Sequence, residues 1–462
     1  MRRPCGLATA ISAVVALTLS GCAGGGGTGG QGARSKDTIV IGTTESLENS
    51  FDPAQAYDYL GSQVVMNSAE TLVTYQPGAT ELTPLLAEAL PEVSPDGLTY
   101  TFQLRSGVKF QDDTPLDAAA VKFSLERARD FGIADARTAG FLLTGIEDVT
   151  AAGPLTVVIR LRAPNVTFLD RLAYSVAAIV SPEAYGDHLL DGATGETVSG
   201  RYKTDTIVGT GQYRLTSYRE RESLAFEANR SYWGDAPKTG RILVRLFDRS
   251  SALKLALEGG EVDVAYRALQ PDEVTSFKGR QGFRVVEGDG PGIRYLVINV
   301  QSKPWDDPDL RRALAAAVDR DILTTEALKR SAKPLASMVP TSFPTSVPKW
   351  IDLYGGGGDS STRDRLLTAA GVPPGDKVKV DLWFSPTHYG DTEATVAEVL
   401  ARILEETGRF DVDVSSIEWS EYGEKRARGE MPVFLLGWYP DYLDEDNYLE
   451  PFSNPDAFNP AK

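Results

Sequence analysis

The segment Phe434-Leu435-Leu436-Gly437-Trp438-Tyr439-Pro440-Asp441-Tyr442 sets a carboxylate among aromatic rings, just past an apolar run. The run reads as a buried strand ending at Gly437, and loops beyond strand carboxyl ends line the crevice of open α/β sheets. Asp441 is therefore a binding candidate, with a plain turn aspartate after Pro440 as the alternative. Trp438 and Tyr439 are placed to flank a ligand or to pack in a core. A second run, Thr38-Ile39-Val40-Ile41-Gly42, also reads as a buried strand. The loop after it makes Thr44, Glu45 and Ser46 candidates from a facing element, although Glu45 could equally be a solvated side chain.

Catalytic chemistry has little support. The chain holds two histidines, His188 and His388, far apart in sequence, and no HExxH, CxxC, G-x-S-x-G or Walker-type motif. Gly209-Thr210-Gly211 begins like a dinucleotide loop, but Arg214 stands at the third glycine position. Asp441 and Asp444 are close in sequence. A secreted hydrolase would need such a pair, or a nucleophile, set in a cleft, and nothing else points there. Two histidines and no free cysteine also make direct coordination of a soft metal poor. The residues point to binding without a catalytic group or cofactor.

The elements that must carry these loops alternate between helix and strand. Ser94-Pro95-Asp96-Gly97 has tight-turn chemistry. Leu98, Tyr100, Phe102 and Leu104 then alternate with polar residues, which predicts a half-buried strand. Ser106-Gly107 should turn it into a partner strand, Val108-Lys109-Phe110. Thr114 as cap and Pro115 at the first helical position should open a helix. Ser250 is expected to cap a helix with Leu253, Ala256 and Leu257 on one face and Gly259 at its end. Val262-Asp263-Val264 then begins a strand. Asp307 and Pro308 should start another helix, whose apolar stripe is Leu310, Ala313, Leu314, Ala317 and Val318. Such alternation indicates α/β lobes.

The amino terminus sets the compartment. Arg2 and Arg3 precede an apolar stretch from Leu7 to Leu19, 13 residues long, against the roughly 20 that span a bilayer. It reads as a secretory signal over residues 1–21. Leu19-Ser20-Gly21-Cys22 resembles the lipobox of bacterial lipoproteins, which implies a diacylglycerol on Cys22 and an anchor on the outer face of the membrane. Residues 22–36 are dominated by Gly and read as a flexible tether. With Cys5 lost and Cys22 acylated, no disulfide is left, so stability must come from burial. About 430 residues suffice for two or three domains. The net charge of −17, with 64 acidic against 47 basic side chains, argues against nucleic acid as a partner. A solubilising surface is the plain account of it.

The run Asp96-Gly97-Leu98-Thr99-Tyr100-Thr101-Phe102-Gln103-Leu104-Arg105-Ser106-Gly107-Val108-Lys109-Phe110 resembles the signature of the family 5 extracellular solute-binding proteins, receptors of ATP-driven importers for oligopeptides, dipeptides and nickel. Leu82 to Glu88, Val208 to Tyr213, Asn229 to Trp233, Gly260 to Asp263, Asn299, Asp309 to Leu314 and Val318 to Arg320 follow in family order. The resemblance implies an α/β, two-lobed fold of the periplasmic-binding-protein type II, with an extra domain inserted in the first lobe. The expected division is 37–69 with 200–290 as the first lobe, 70–199 as the insertion and 291–462 as the second lobe, with the crossing near Tyr295 to Asn299.

The resemblance also assigns roles. In peptide-binding relatives an aspartate three residues after the tryptophan pairs with the ligand's α-ammonium group, and Asp441 stands at that place. A desolvated ammonium needs an opposite charge. Trp438 and Tyr439 would flank the ligand, and the backbone near Gly437 would pair with an extended peptide as a strand does. The relatives supply an Arg after a Trp-x-x-Pro-like segment to hold the ligand carboxylate. Here Trp383-Phe384-Ser385-Pro386-Thr387-His388-Tyr389 has none, which leaves a protonated His388 and favours longer peptides over dipeptides. A nickel or metal chelate is the alternative ligand within the fold. Implied partners are a permease and the membrane, and the chain is expected to be a monomer. Family members continue several dozen residues past Lys462 and return to the first lobe, so a chain lacking that tail is expected to be less stable and to close with less control.

Overall fold

The computed structural model describes residues 37–453, apart from 48–49, 136–137, 187, 191–196, 200–205, 268, 289, 356, 387 and 391. The leader, Cys22 and the Gly-rich segment lie outside the described residues.

Three sheets organise the chain. In the first the strand order is Tyr213–Arg219, Ser223–Ala228, Arg241–Leu246, Thr38–Thr43, Val264–Ala265. Thr38–Thr43 runs parallel to both of its neighbours. It is central and apolar on both faces, as strands flanked by crossovers are. Val40 packs with Leu253, Ala256 and Val262, which come from the helix Ser250–Glu258 and the turn after it.

The second sheet has the order Ile293–Ile298, Val433–Trp438, Val378–Phe384, Phe410–Ser416. Val433–Trp438 is antiparallel to Ile293–Ile298 and parallel to Val378–Phe384. Leu435 joins a core with Leu310, Ala313, Leu314 and Ala317 from the helix Pro308–Ala317, and with Val396, Ala397, Leu400 and Leu404 from Thr392–Glu406. Phe434 and Leu436 point to the other face, against Tyr422 and Met431. A strand covered on both sides has no reason to alternate, which is why it reads as one apolar run.

The third sheet is antiparallel, with the order Glu92–Val93, Thr99–Gln103, Thr156–Leu161, Ile146–Ala151. The helix Ala118–Ala134 covers it through Val121, Leu125 and Ala128. Beneath that helix the Arg127 guanidinium meets the Asp52 carboxylate with both side chains almost fully buried. Arg127 also lies over the rings of Phe131 and Tyr185, each at 5.1 Å.

Local expectations fared unevenly. Asp307 caps its helix and Pro308 is the first helical residue. Val108–Phe110 does not pair with the 99–103 strand, which lies between Glu92–Val93 and Thr156–Leu161. Instead the backbone N–H of Phe110 donates to Thr114 and that of Leu116 to Val108. That loop keeps Thr114 and Pro115 out of the helix, which begins three residues later than predicted, at Ala118. Asp117 caps it by accepting from the Ala120 N–H at 2.9 Å. Arg249, not Ser250, occupies the cap position of its helix, and Ser250 is the first helical residue.

Gly209 and Gly211 have a packing role. A Cβ on Gly209 would lie 2.3 Å from that of Ala69, and one on Gly211 would lie 2.6 Å from the Ser68 carbonyl carbon. Thr210 between them donates to Glu70 at 2.7 Å. The glycines let this segment press against the end of the helix Tyr59–Ser68.

Candidate functional site

The strand Val433–Trp438 ends beside the turn that carries Asp441, because Pro440 cannot continue a hydrogen-bonded ladder. Asn447, near the start of the helix Asp446–Ser453, fixes that turn. Its side-chain oxygen accepts from the Trp438 indole N–H and from the Asp441 backbone N–H, both at 3.0 Å. The next residue, Tyr442, is buried and joins the core of the third sheet with Phe102 and Leu125. Arg171 donates to the Tyr442 hydroxyl and to Glu450, both at 3.1 Å, and lies 5.1 Å over the Tyr442 ring. The turn bearing Asp441 is thus clamped between Asn447, six residues on, and the core of the third sheet with Arg171.

Asp441 is 8% exposed. The Tyr57 hydroxyl donates to its Oδ2 at 3.3 Å. Among the described residues no Lys or Arg comes within ion-pair distance of it, and Arg171 acts only as a more distant charge. Burial, which strips solvation from the ionised form, pushes its pKa from 3.8 to about 7, against the smaller opposing effects of Asn447, Tyr57 and Arg171. The Tyr57 hydroxyl is pushed well up by burial and then by the Asp441 charge, and Tyr174 is raised for the same two reasons. Both phenols stay neutral, and Tyr57 is the one that donates to Asp441. The site is a buried carboxylate that accepts from the Tyr57 hydroxyl and, among the described residues, has no cation within ion-pair distance.

Beside it stands a column of rings and guanidinium groups. Arg267 lies 3.7 Å over the Tyr59 ring and 4.8 Å over Tyr439. Arg294 lies 5.3 Å over Tyr439 and 4.2 Å over Tyr389. Arg294 donates from Nε to Glu393 and from Nη2 to the Tyr439 hydroxyl, each at 3.0 Å. Burial raises the Glu393 carboxyl, against the lowering effect of Arg294. Gly437 is required under this guanidinium, since a Cβ there would meet Arg294 Nη1 at 2.3 Å and Tyr389 Cε1 at 2.9 Å.

The predicted residues are placed as follows. Asp441, Gly437 and Tyr439 share this region, and Tyr439 keeps 43% of its surface exposed. The Trp438 ring packs in a core with Ile293, Val339 and Tyr448. Glu45 is half-buried, 3.8 Å from Arg267, and so reaches the column, while Thr44 is half-buried and Ser46 exposed. The His388 ring stacks on Trp419 at 3.5 Å between centroids. Sequence reasoning missed Tyr57, Tyr174, Arg267, Arg294 and Glu393, which come from distant segments. It also missed Asn447, whose only signal is a lone amide six residues after Asp441.

A model of the bacterial extracellular solute-binding proteins, family 5, matches residues 81–460. The chain belongs to that family. The dipeptide-binding protein of Escherichia coli is 29% identical over 396 residues, covering 82% of this chain and 71% of that protein. A periplasmic binding protein of Helicobacter pylori solved with the peptide STSA superposes with a TM-score of 0.73 at 24% identity, covering 89% of this chain and 80% of that one. NikA of Brucella suis solved with Fe(III)-EDTA superposes with a TM-score of 0.73 at 23% identity, covering 88% and 80%. The fold of this family 5 protein is the two-lobed α/β architecture of type II periplasmic binding proteins. The family consists of extracellular solute-binding transport proteins, not enzymes. Among the described residues no helix is long and apolar enough to cross a membrane.

Proposed function

We propose that this family 5 protein is the peptide receptor of an ATP-driven importer, and that Asp441 binds the α-ammonium group of its ligand. One observation carries this. A carboxylate 8% exposed, with hydroxyl and amide neighbours and no cation within ion-pair distance among the described residues, is a site for a cation the ligand must bring. Burying an unpaired charge is costly, and an incoming ammonium offsets that cost. The names of relatives point the same way: one is a dipeptide-binding protein, and another was solved with a tetrapeptide.

Capture would proceed by lobe closure, with ligand shifting an open–closed equilibrium. The closing bodies would be 37–69 with 200–290, and 291–462, with 70–199 as the inserted domain; strand membership in the three sheets supports that division. Backbone groups near Gly437 would pair with the ligand main chain. Cys22 would carry the lipid that holds the receptor, as a monomer, on the outer face of the membrane beside its permease. Metabolic labelling with palmitate should mark the wild-type chain and leave Cys22→Ser unlabelled.

The test of the ligand chemistry is calorimetry with random tripeptides, free and N-acetylated. Acetylation removes the positive charge and should abolish binding. Equal binding of both forms would remove Asp441 from the proposed role. A metal chelate is the second ligand class, since a structural neighbour was solved with Fe(III)-EDTA.

A further inference from the structure

We propose that Tyr439 is a brace across the two chain crossings into and out of the second sheet, and that Arg267 on the first-sheet side holds it in place. The brace biases the chain toward its closed form without touching ligand, so it acts in the ligand-free receptor and goes beyond the peptide reading.

The chain enters the second sheet at Ile293 and leaves its last strand at Trp438. Those two ends lie side by side, since Ile293 pairs with Trp438. The Tyr439 backbone belongs to the outgoing crossing, but its ring lies against the incoming one. A Cβ on Gly292 would meet Tyr439 Cε1 at 2.7 Å and Cδ1 at 2.8 Å, so only a glycine leaves room for the ring there. The Tyr448 hydroxyl donates to the Pro291 carbonyl at 2.8 Å, a second tie to the same incoming segment.

Two guanidinium groups then hold the ring from different sheets. Arg294, on the strand Ile293–Ile298, donates to the Tyr439 hydroxyl at 3.0 Å. Arg267 stands two residues after Val264–Ala265, the edge strand of the first sheet. It lies 4.8 Å over the Tyr439 ring and 3.7 Å over that of Tyr59, at the start of the helix Tyr59–Ser68. Its φ is +63°, a left-handed backbone that a residue with a Cβ rarely adopts and that persists where surrounding contacts impose it. Moving one sheet away from the other pulls Tyr439 off one of its two holders. A cation–π contact shifts such an equilibrium roughly two- to thirtyfold, enough to bias closure and too little to forbid opening. A ligand that binds only the closed form gains apparent affinity as the closed fraction rises.

The test is small-angle X-ray scattering of the full purified chain, stripped of ligand by unfolding in urea and refolding, as wild type, R267Q, R267K and G292A. R267Q removes the cation from the ring, and G292A puts a methyl group where the ring lies. Both should have a larger radius of gyration than wild type, and R267K, which keeps a cation, should fall between wild type and R267Q. A radius in R267Q or G292A no larger than that of wild type overturns the brace. If either variant does not fold, Tyr59→Leu, which removes the ring behind Arg267, replaces it under the same criterion. The scattering needs no ligand, so its failure leaves the peptide reading standing, and a failure to bind peptide leaves the brace standing.

Discussion

Replacing Asp441 with Asn should raise stability while it destroys binding. The change is isosteric, and Tyr57 can still donate to the amide oxygen. Burial raises the Asp441 pKa from 3.8 to about 7. Between those values the folded ligand-free chain holds a proton that the unfolded chain has lost, so stability falls as pH rises across that window and is flat above it. About three pKa units at 1.36 kcal/mol each give a penalty of at most about 4 kcal/mol at pH 8. Asp441→Asn removes it, so the ligand-free variant should be more resistant to urea than wild type at pH 8 and about equal to it at pH 4. Binding should move the other way. An ammonium ligand needs the ionised carboxylate, so wild-type affinity should fall about tenfold per pH unit below 7, roughly 100-fold between pH 8 and pH 5. The variant should bind about 2–5 kcal/mol more weakly at pH 8 and lose that pH dependence. Urea titrations of the ligand-free chains and calorimetry across pH measure both. A variant that melts lower than wild type at pH 8, or that keeps the wild-type affinity and pH profile, would refute the reasoning.

Three further predictions concern the residues that hold the site and its scaffold. Asn447→Ala removes the acceptor of two buried N–H groups, from Trp438 and Asp441, and should cost about 1–3 kcal/mol for each in urea titrations while weakening peptide binding. Arg127→Met leaves Asp52 buried without its partner; it should cost about 3–5 kcal/mol of stability, with ligand affinity of the folded fraction unchanged by calorimetry. Gly437→Ala puts a methyl group against Arg294 and Tyr389 and should cost about 1–3 kcal/mol. It should also weaken peptide binding, since the Arg294 it displaces holds the hydroxyl of Tyr439, two residues from Asp441.

The fold class was legible in sequence because its punctuation is local. The Asp307-Pro308 helix start and the apolar run at 433–438 announce themselves within a few residues. The failures at Val108–Phe110 and Thr114 have a tertiary cause. The 99–103 strand takes its partners from 92–93 and 156–161, and the loop between it and the next helix pairs with itself. No window of neighbouring residues holds that information. The site divides the same way. Asp441, Tyr439 and Gly437 stand out because a strand ends there. Tyr57, Tyr174, Arg267 and Arg294 reach it only through the packing of distant segments, and each alone is an ordinary Tyr or Arg. Trp438 shows the converse. It stands in the right motif, yet the structure sets its ring in a core and its indole N–H on Asn447.

The most direct measurement is native mass spectrometry of the chain purified straight from expressing cells, beside the Asp441→Asn variant prepared identically. A peptide receptor should carry a ladder of co-purified peptide masses that the variant lacks. Wild-type chain that emerges carrying a chelate or a sugar, or the same peptides on both proteins, would contradict the assignment of Asp441 as the group that captures the ligand's amine.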